Sequence, residues 1–204
     1  MLILSKKILK LKKEKDFFNH YRDIFFKTLT NVNIKDLEKI SKIIENKIKK
    51  NKKIFVAGNG GSASVANHFL CDFNKGIKSS SKKKLTPQII SLSNSLELIT
   101  AIGNDLDFSE IFSYQLENYA QKNDLLITFS CSGSSKNILK VINLAKLKKM
   151  QIISFNGFGK IPNKANYGIN LKCKNYGITE DIFSYFMHTI SQFIRSKFDK
   201  NNVL

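Results

Sequence analysis

Gly58-Asn59-Gly60-Gly61-Ser62 follows a short apolar run and leads into a segment carrying His68 and, four residues on, Asp72. At that spacing an imidazole and a carboxylate share one face of a helix, placed to move protons or to hold a metal ion. A strand that breaks on glycines and re-enters a helix gathers free backbone N–H groups at one point. With the positive end of the helix dipole, those donors suit an anion, phosphate above all. A second loop, Ser130-Cys131-Ser132-Gly133-Ser134-Ser135, also sits between an apolar run and a helical pattern. One hydroxyl suffices to cap a helix. Four with a glycine exceed that need and suit the oxygens of a phosphate. Neither loop is a nucleotide signature, because GxxxxGK[ST] is absent and GNGGSA lacks the GxGxxG spacing. A sugar phosphate is the ligand class these loops fit best.

The elements that must carry these residues are legible from periodicity. Helical patterns cover Asp16 to Leu29 and Ile34 to Lys50, the second with Leu37, Ile40, Ile43, Ile44 and Ile48 on one side and Asn33 or Asp36 as cap. Strand Ile54–Ala57 then feeds the glycine loop and a helix from Ser62 to Phe73. Lys75 to Pro87, polar and repetitive, reads as a mobile surface loop. Strands are expected at 88–92, 124–129, 151–155 and 168–172. Helices are expected at 95–102, 108–120, 137–149 and 179–198, with Asn104-Asp105 as a turn. The continuously apolar Asp124-Leu-Leu-Ile-Thr-Phe is the mark of a parallel strand covered on both faces. Alternating strands and helices predict a doubly wound, mostly parallel α/β sheet, whose ligands bind beyond the carboxyl ends of the strands. Both loops fall at such ends. The expected organisation is an N-terminal helical extension over 1–33 and one domain over 34–198.

With 204 residues, 42% hydrophobic and 25% charged, the chain has the composition of one ordinary soluble domain. No apolar run approaches the roughly 20 residues of a membrane span. The start, MLILSKKILKLKKEK, is interrupted by lysine too early for a secretory signal and reads as a solvated extension rather than a membrane-surface helix. The net charge of +18 is almost all scattered lysine, with arginine only at Arg22 and Arg195. Sites that read bases or grip phosphate favour arginine, so this charge supports nonspecific polyanion binding at most. Cys71, Cys131 and Cys173 lie outside any CxxC spacing and read as reduced thiols of a cytoplasmic protein.

Taken together, GNGGSA and HF within 58–69, AIGNDLDFSEIFSYQLE at 101–117, DLLITFSCSGSSKNIL at 124–139 and the C-terminal helix resemble the sugar isomerase (SIS) family. Within it the likeness is to bacterial phosphoheptose isomerases, over about Ile34 to Arg195. The resemblance implies the SIS fold, a cytoplasmic homotetramer with active sites at subunit interfaces, and in many members zinc. It implies substrate contacts from Asn59, Gly60, Gly61, Asn104 and Asp105, and a phosphate site at Ser130, Cys131, Ser132 and Ser135. The family has threonine where Cys131 stands.

The family's metal and catalytic set is a His, a Glu four residues on, and a Gln and His eight apart on the last helix. Here the first pair is His68 and Asp72. Matching Gly177 rigidly would put Phe183 and Ser191 at the second pair. A three-residue adjustment in that loop puts Glu180 and His188 there instead, and insertions belong in loops rather than in helix cores. The expected metal set is therefore His68, Asp72, Glu180 and His188, with Glu180 also facing substrate and Asp72 and His188 as the acid–base pair. His20 has no partner in view. The implied activity is interconversion of sedoheptulose 7-phosphate and D-glycero-D-manno-heptose 7-phosphate through an enediol, supplying heptose for surface polysaccharide. Asp72 for Glu and Glu180 for Gln keep two other readings open. One is a non-catalytic SIS module that binds a replication initiator, and the other an isomerase of another sugar phosphate.

Overall fold

The computed structural model describes residues 13–198; the expected solvated start of the chain falls largely outside them. In chain order the elements are α1 (Glu14–Thr30), α2 (Ile34–Lys49), β1 (Lys53–Gly58) and α3 (Gly61–Cys71). A wide helical turn over Asp72–Ile77 and a single turn α4 (Lys78–Ser80) continue α3. They lead to β2 (Gln88–Ser91), α5 (Leu96–Asp105), a tight turn at Phe108–Glu110 and α6 (Ser113–Tyr119). The chain ends with β3 (Leu125–Ser130), α7 (Lys136–Leu147), β4 (Gln151–Asn156), β5 (Tyr167–Asn170) and α8 (Tyr176–Ser196).

The strands form one parallel sheet in the order β2-β1-β3-β4-β5. Chain direction across the sheet reverses between β1 and β3, so the loops leaving these two strands splay apart and leave a crevice. Alternation along β1 sorts the two faces. Ile54 and Val56 join the core under α2, α3 and α8, while Phe55 and Ala57 join the core under α6 and α7. β3 is buried along its whole length, as its unbroken apolar run requires. Phe129, Phe155, Phe183 and Phe186 pack together beneath α8 and fix its height above the sheet. Burial of each such ring contributes about 1.5–3 kcal/mol.

The polar stretch after Asn74 is not the mobile surface loop that its lysines and serines suggest. Phe73, Gly76, Ile77 and Leu85 are buried. Ser81 Oγ accepts the Leu85 N–H at 3.1 Å. Asn74 clasps the start of β2, donating to Ile89 O at 3.0 Å and accepting the Ile89 N–H at 2.9 Å. Phe73 and Ile77, one turn apart, anchor this segment, and the exposed lysines between them dilute the pattern. The turn expected at Asn104-Asp105 is likewise helical. α5 runs through Gly103 and ends on these two residues. The helix expected over 108–120 is broken at its start into the tight turn that precedes α6.

α1 lies against the same core as the rest, with Tyr21, Ile24, Phe25 and Leu29 packed on it. The Tyr21 hydroxyl donates to Asp181 Oδ2 at 3.2 Å, tying α1 to the first turns of α8.

Candidate active site

The crevice between β1 and β3 is a pocket of about 260 Å³ lined by the glycine loop, the serine loop, Tyr176 and Glu180. Gly60, at φ +54°, caps α3 and offers no side chain, so the first N–H groups of α3 meet no side-chain acceptor. Gly133 turns the serine loop at φ +66° and its N–H is held by Ser130 Oγ at 3.0 Å. Ser135 occupies the cap position of α7 without making a side-chain cap bond. Its hydroxyl lies 3.5 Å from that of Ser132. Two helix starts and a cluster of hydroxyls thus converge on one small volume, the arrangement an anion needs.

Glu180 enters this pocket from α8. Its Oε1 accepts from Ser62 Oγ at 3.2 Å and lies 3.8 Å from Cys131 Sγ. Burial, then the charge of Glu180, push the Cys131 thiol up to about 12, so it stays protonated. Asn59 lines the pocket, but its side-chain amide is engaged by Asn137. 

The second cluster lies farther along the same two helices. His68 Nε2 is 3.3 Å from Asp72 Oδ1, His188 Nε2 is 3.7 Å from Asp72 Oδ2, and the two imidazole Nε2 atoms are 3.2 Å apart. One donor atom from each of the three residues lies within 4.8 Å of the others. Two imidazoles and a carboxylate so placed could hold a metal ion, and their nitrogen and oxygen donors are of the kind that zinc accepts. The Asp72 side chain is 22% exposed, and His68 and His188 are 59% and 42% exposed, so the cluster opens to solvent on one side. Ser191 Oγ donates to the His188 carbonyl at 3.1 Å and makes a long 3.5 Å contact to Asp72 Oδ2.

α3 and α8 pack side by side and act as two rails. Each carries a pocket residue near its start, Gly61 or Glu180, and a histidine farther on, His68 or His188. A helix rises about 1.5 Å per residue, so the imidazoles lie roughly 10–12 Å along their helices from the anion cradle. Of the expected four-residue metal set, His68, Asp72 and His188 lie together, while Glu180 stands in the pocket. Phe183, the alternative match, is fully buried among the core phenylalanines.

Gly60, Gly61, Ser130, Cys131, Ser132 and Ser135 all line the pocket. Asn104 and Asp105 do not, because they are exposed at the end of α5 and bonded to each other at 2.8 Å. Sequence reasoning missed three contributors. Ser62 reaches Glu180, Tyr176 walls the pocket, and the wide helical turn begins at Asp72 itself. Such wide turns are rare and concentrate at functional sites; Gly76 inside a helical stretch is the one signal the sequence carries for it.

The SIS domain family model matches residues 16–157. The phosphoheptose isomerase of Campylobacter concisus is 34% identical over 164 residues, covering 79% of this chain and 85% of the relative. The probable phosphoheptose isomerase of Thermoplasma acidophilum is 32% identical over 170 residues, covering 82% and 92%. Among solved structures, a phosphoheptose isomerase from Francisella tularensis shares the fold at a TM-score of 0.78 and 24% identity, over 89% of this chain and 98% of that one.

Proposed function

The chain belongs to the phosphoheptose isomerases of the SIS domain family, and on that premise we propose that it interconverts sedoheptulose 7-phosphate and D-glycero-D-manno-heptose 7-phosphate. The observation that carries the reading is the placement of His68, Asp72 and His188 some two helical turns beyond the anion cradle. An extended seven-carbon sugar held by its terminal phosphate at Ser132 and Ser135 brings its first two carbons towards these side chains.

Aldose–ketose isomerisation removes a proton beside the carbonyl and returns it to the neighbouring carbon, with a second proton exchanged between the two oxygens. Asp72 and His188 are the pair we assign to these transfers through an enediol. His68 orients Asp72 through their 3.3 Å contact. The cradle supplies binding energy remote from the reacting carbons and fixes their position. Zinc held by His68, Asp72 and His188 would polarise the carbonyl and lower the barrier to proton loss.

The partly exposed imidazoles suit a site completed by a neighbouring subunit, and a homotetramer follows the family resemblance. No helix among the described residues is long and apolar enough to cross a membrane. A cytoplasmic enzyme of heptose synthesis for surface polysaccharide is consistent with that. We read 34–198 as the catalytic domain, with α1 as an extension strapped to it.

Proton NMR in deuterated water, with sedoheptulose 7-phosphate and purified protein of measured zinc content, tests the reading. Exchange of the hydrogens at the first carbon together with appearance of the aldose is expected. Absence of both would overturn it in favour of a non-catalytic SIS module. Exchange seen only with another ketose phosphate would move the activity to that sugar.

A further inference from the structure

The glycine and serine loops leave neighbouring strands, and one pair of side chains joins the first loop to the helix behind the second. Asn59 Nδ2 donates to Asn137 Oδ1 and Asn137 Nδ2 donates to Asn59 Oδ1, each at 2.9 Å. Asn137 Oδ1 also accepts the Ile138 N–H at 2.9 Å. Asn137 is 2% exposed, sits in the first turn of α7 directly after the serine loop, and is absent from the pocket lining. A reciprocal amide pair needs a donor and an acceptor on each side chain at once, which only Asn or Gln supplies. Two parallel bonds also hold both side chains to one relative orientation, which a single bond does not.

The glycine loop needs such a restraint. Gly60 has positive φ, and a Cβ built there meets nothing within 4 Å, so no side chain wedges the loop at its tip, although the Glu180 carboxylate lies against the next residue, Gly61. On its strand side the loop is held by Ser93, whose Oγ accepts the Gly58 N–H at 3.1 Å and donates to Gly58 O at 2.9 Å. On the pocket side Ser62 at the end of the loop bonds Glu180 at 3.2 Å, and the loop's own Asn59 is restrained by the pair with Asn137.

We propose that Asn137 is a positioning residue of the sugar-phosphate site, acting through Asn59 to fix the gap between the two loops so that both address one ligand. The proposal rests on the reading of the pocket as a sugar-phosphate site. Without the pair, the glycine loop must be ordered when ligand binds, and affinity falls by that cost. The reacting carbons are held by other residues, so turnover of bound substrate is spared.

The test is a double-mutant cycle of Asn59→Ala and Asn137→Ala, read by isomerase kinetics and by calorimetric binding of sedoheptulose 7-phosphate. Asn137→Ala is expected to raise KM and Kd about tenfold, the worth of one or two hydrogen bonds, with kcat within about twofold, and Asn59→Ala, which also alters the pocket wall, to raise both at least as much. The double variant should be no worse than Asn59→Ala alone, because Asn137 acts only through Asn59. Asn137→Asp, which sets a carboxylate oxygen against Asn59 Oδ1 and buries a charge beside the anion pocket, should weaken binding at least as much as Ala. Additive losses, a fall in kcat at unchanged KM, or unchanged binding would each overturn the proposal. Should Asn137→Ala fail to fold, Asn137→Ser completes the cycle. Wild-type protein that binds the sugar phosphate without turning it over would overturn the activity but leave the binding cycle readable.

Discussion

The carboxylate of Glu180 lies 3.8 Å from the thiol of Cys131. On the family resemblance, these are pocket positions where the chain departs from the family pattern, with Cys for Thr and Glu for Gln. They touch each other and share Ser62 as a neighbour. A thiol is a weak donor and a carboxylate accepts only. Pushed up to about 12, Cys131 keeps its proton beside the negative charge and adds no second charge to the cradle.

The contact predicts that the two positions are energetically coupled. Glu180→Gln removes a negative charge from a site that receives phosphate and should lower KM for the sugar phosphate. Cys131→Thr alone adds a stronger donor to the carboxylate and should act differently when Glu180 is already Gln. We expect the cycle of Cys131→Thr, Glu180→Gln and the double variant to show a coupling of at least about 0.5 kcal/mol in KM. Additive effects would mean that the contact has no energetic consequence.

How much of this site is legible in the chain depends on how local each signal is. The glycine loop, the serine loop and the i, i+4 pair of His68 and Asp72 are local, and reading them along the chain suffices. The parallel sheet follows from the buried runs of β1 and β3. What cannot be read is how far a helix carries a side chain from its neighbour in a motif. Glu180 and His188 look like one pair at eight-residue spacing, yet α8 delivers them to two different places. Asn137 is invisible for a related reason, since its partner is 78 positions away and reached only through the β1–β3 pairing. The helical continuation beyond Asn74 is hidden by exposed lysines, because composition averages over faces that folding separates.

The strap between α1 and α8 has a pH signature. Burial and then the nearby Asp181 carboxylate raise Tyr21 from 10.0 to about 12. The neutral phenol is therefore favoured in the folded state, and this group's stabilisation is complete below about pH 10 and lost as pH rises from about 10 towards 12. Tyr21→Phe should cost about 0.5–1.5 kcal/mol at neutral pH, the range of one hydrogen bond. Asp181 is exposed and can rehydrate, which favours the lower end. Melting curves from pH 8 to pH 11.5 on both proteins check the sign, and the gap between wild type and Tyr21→Phe should narrow as pH rises. A gap independent of pH would remove Tyr21 from the strap.

The separation of Glu180 from the imidazoles makes the metal assignment testable residue by residue. His68, Asp72 and His188 supply three donor atoms within 4.8 Å of one another, and Glu180 supplies none to that group. His188→Ala and His68→Ala should each lose zinc, measured as bound metal after gel filtration against a weak competing chelator. Both side chains are partly exposed, so far-UV circular dichroism and melting temperature should change little. His188→Ala should also abolish turnover, because the same imidazole is assigned a proton transfer. Glu180→Gln and Glu180→Ala should keep zinc at the wild-type ratio while changing KM. Zinc retained in both histidine variants would remove the metal from this cluster, and zinc lost from both Glu180 variants would return Glu180 to the ligand set.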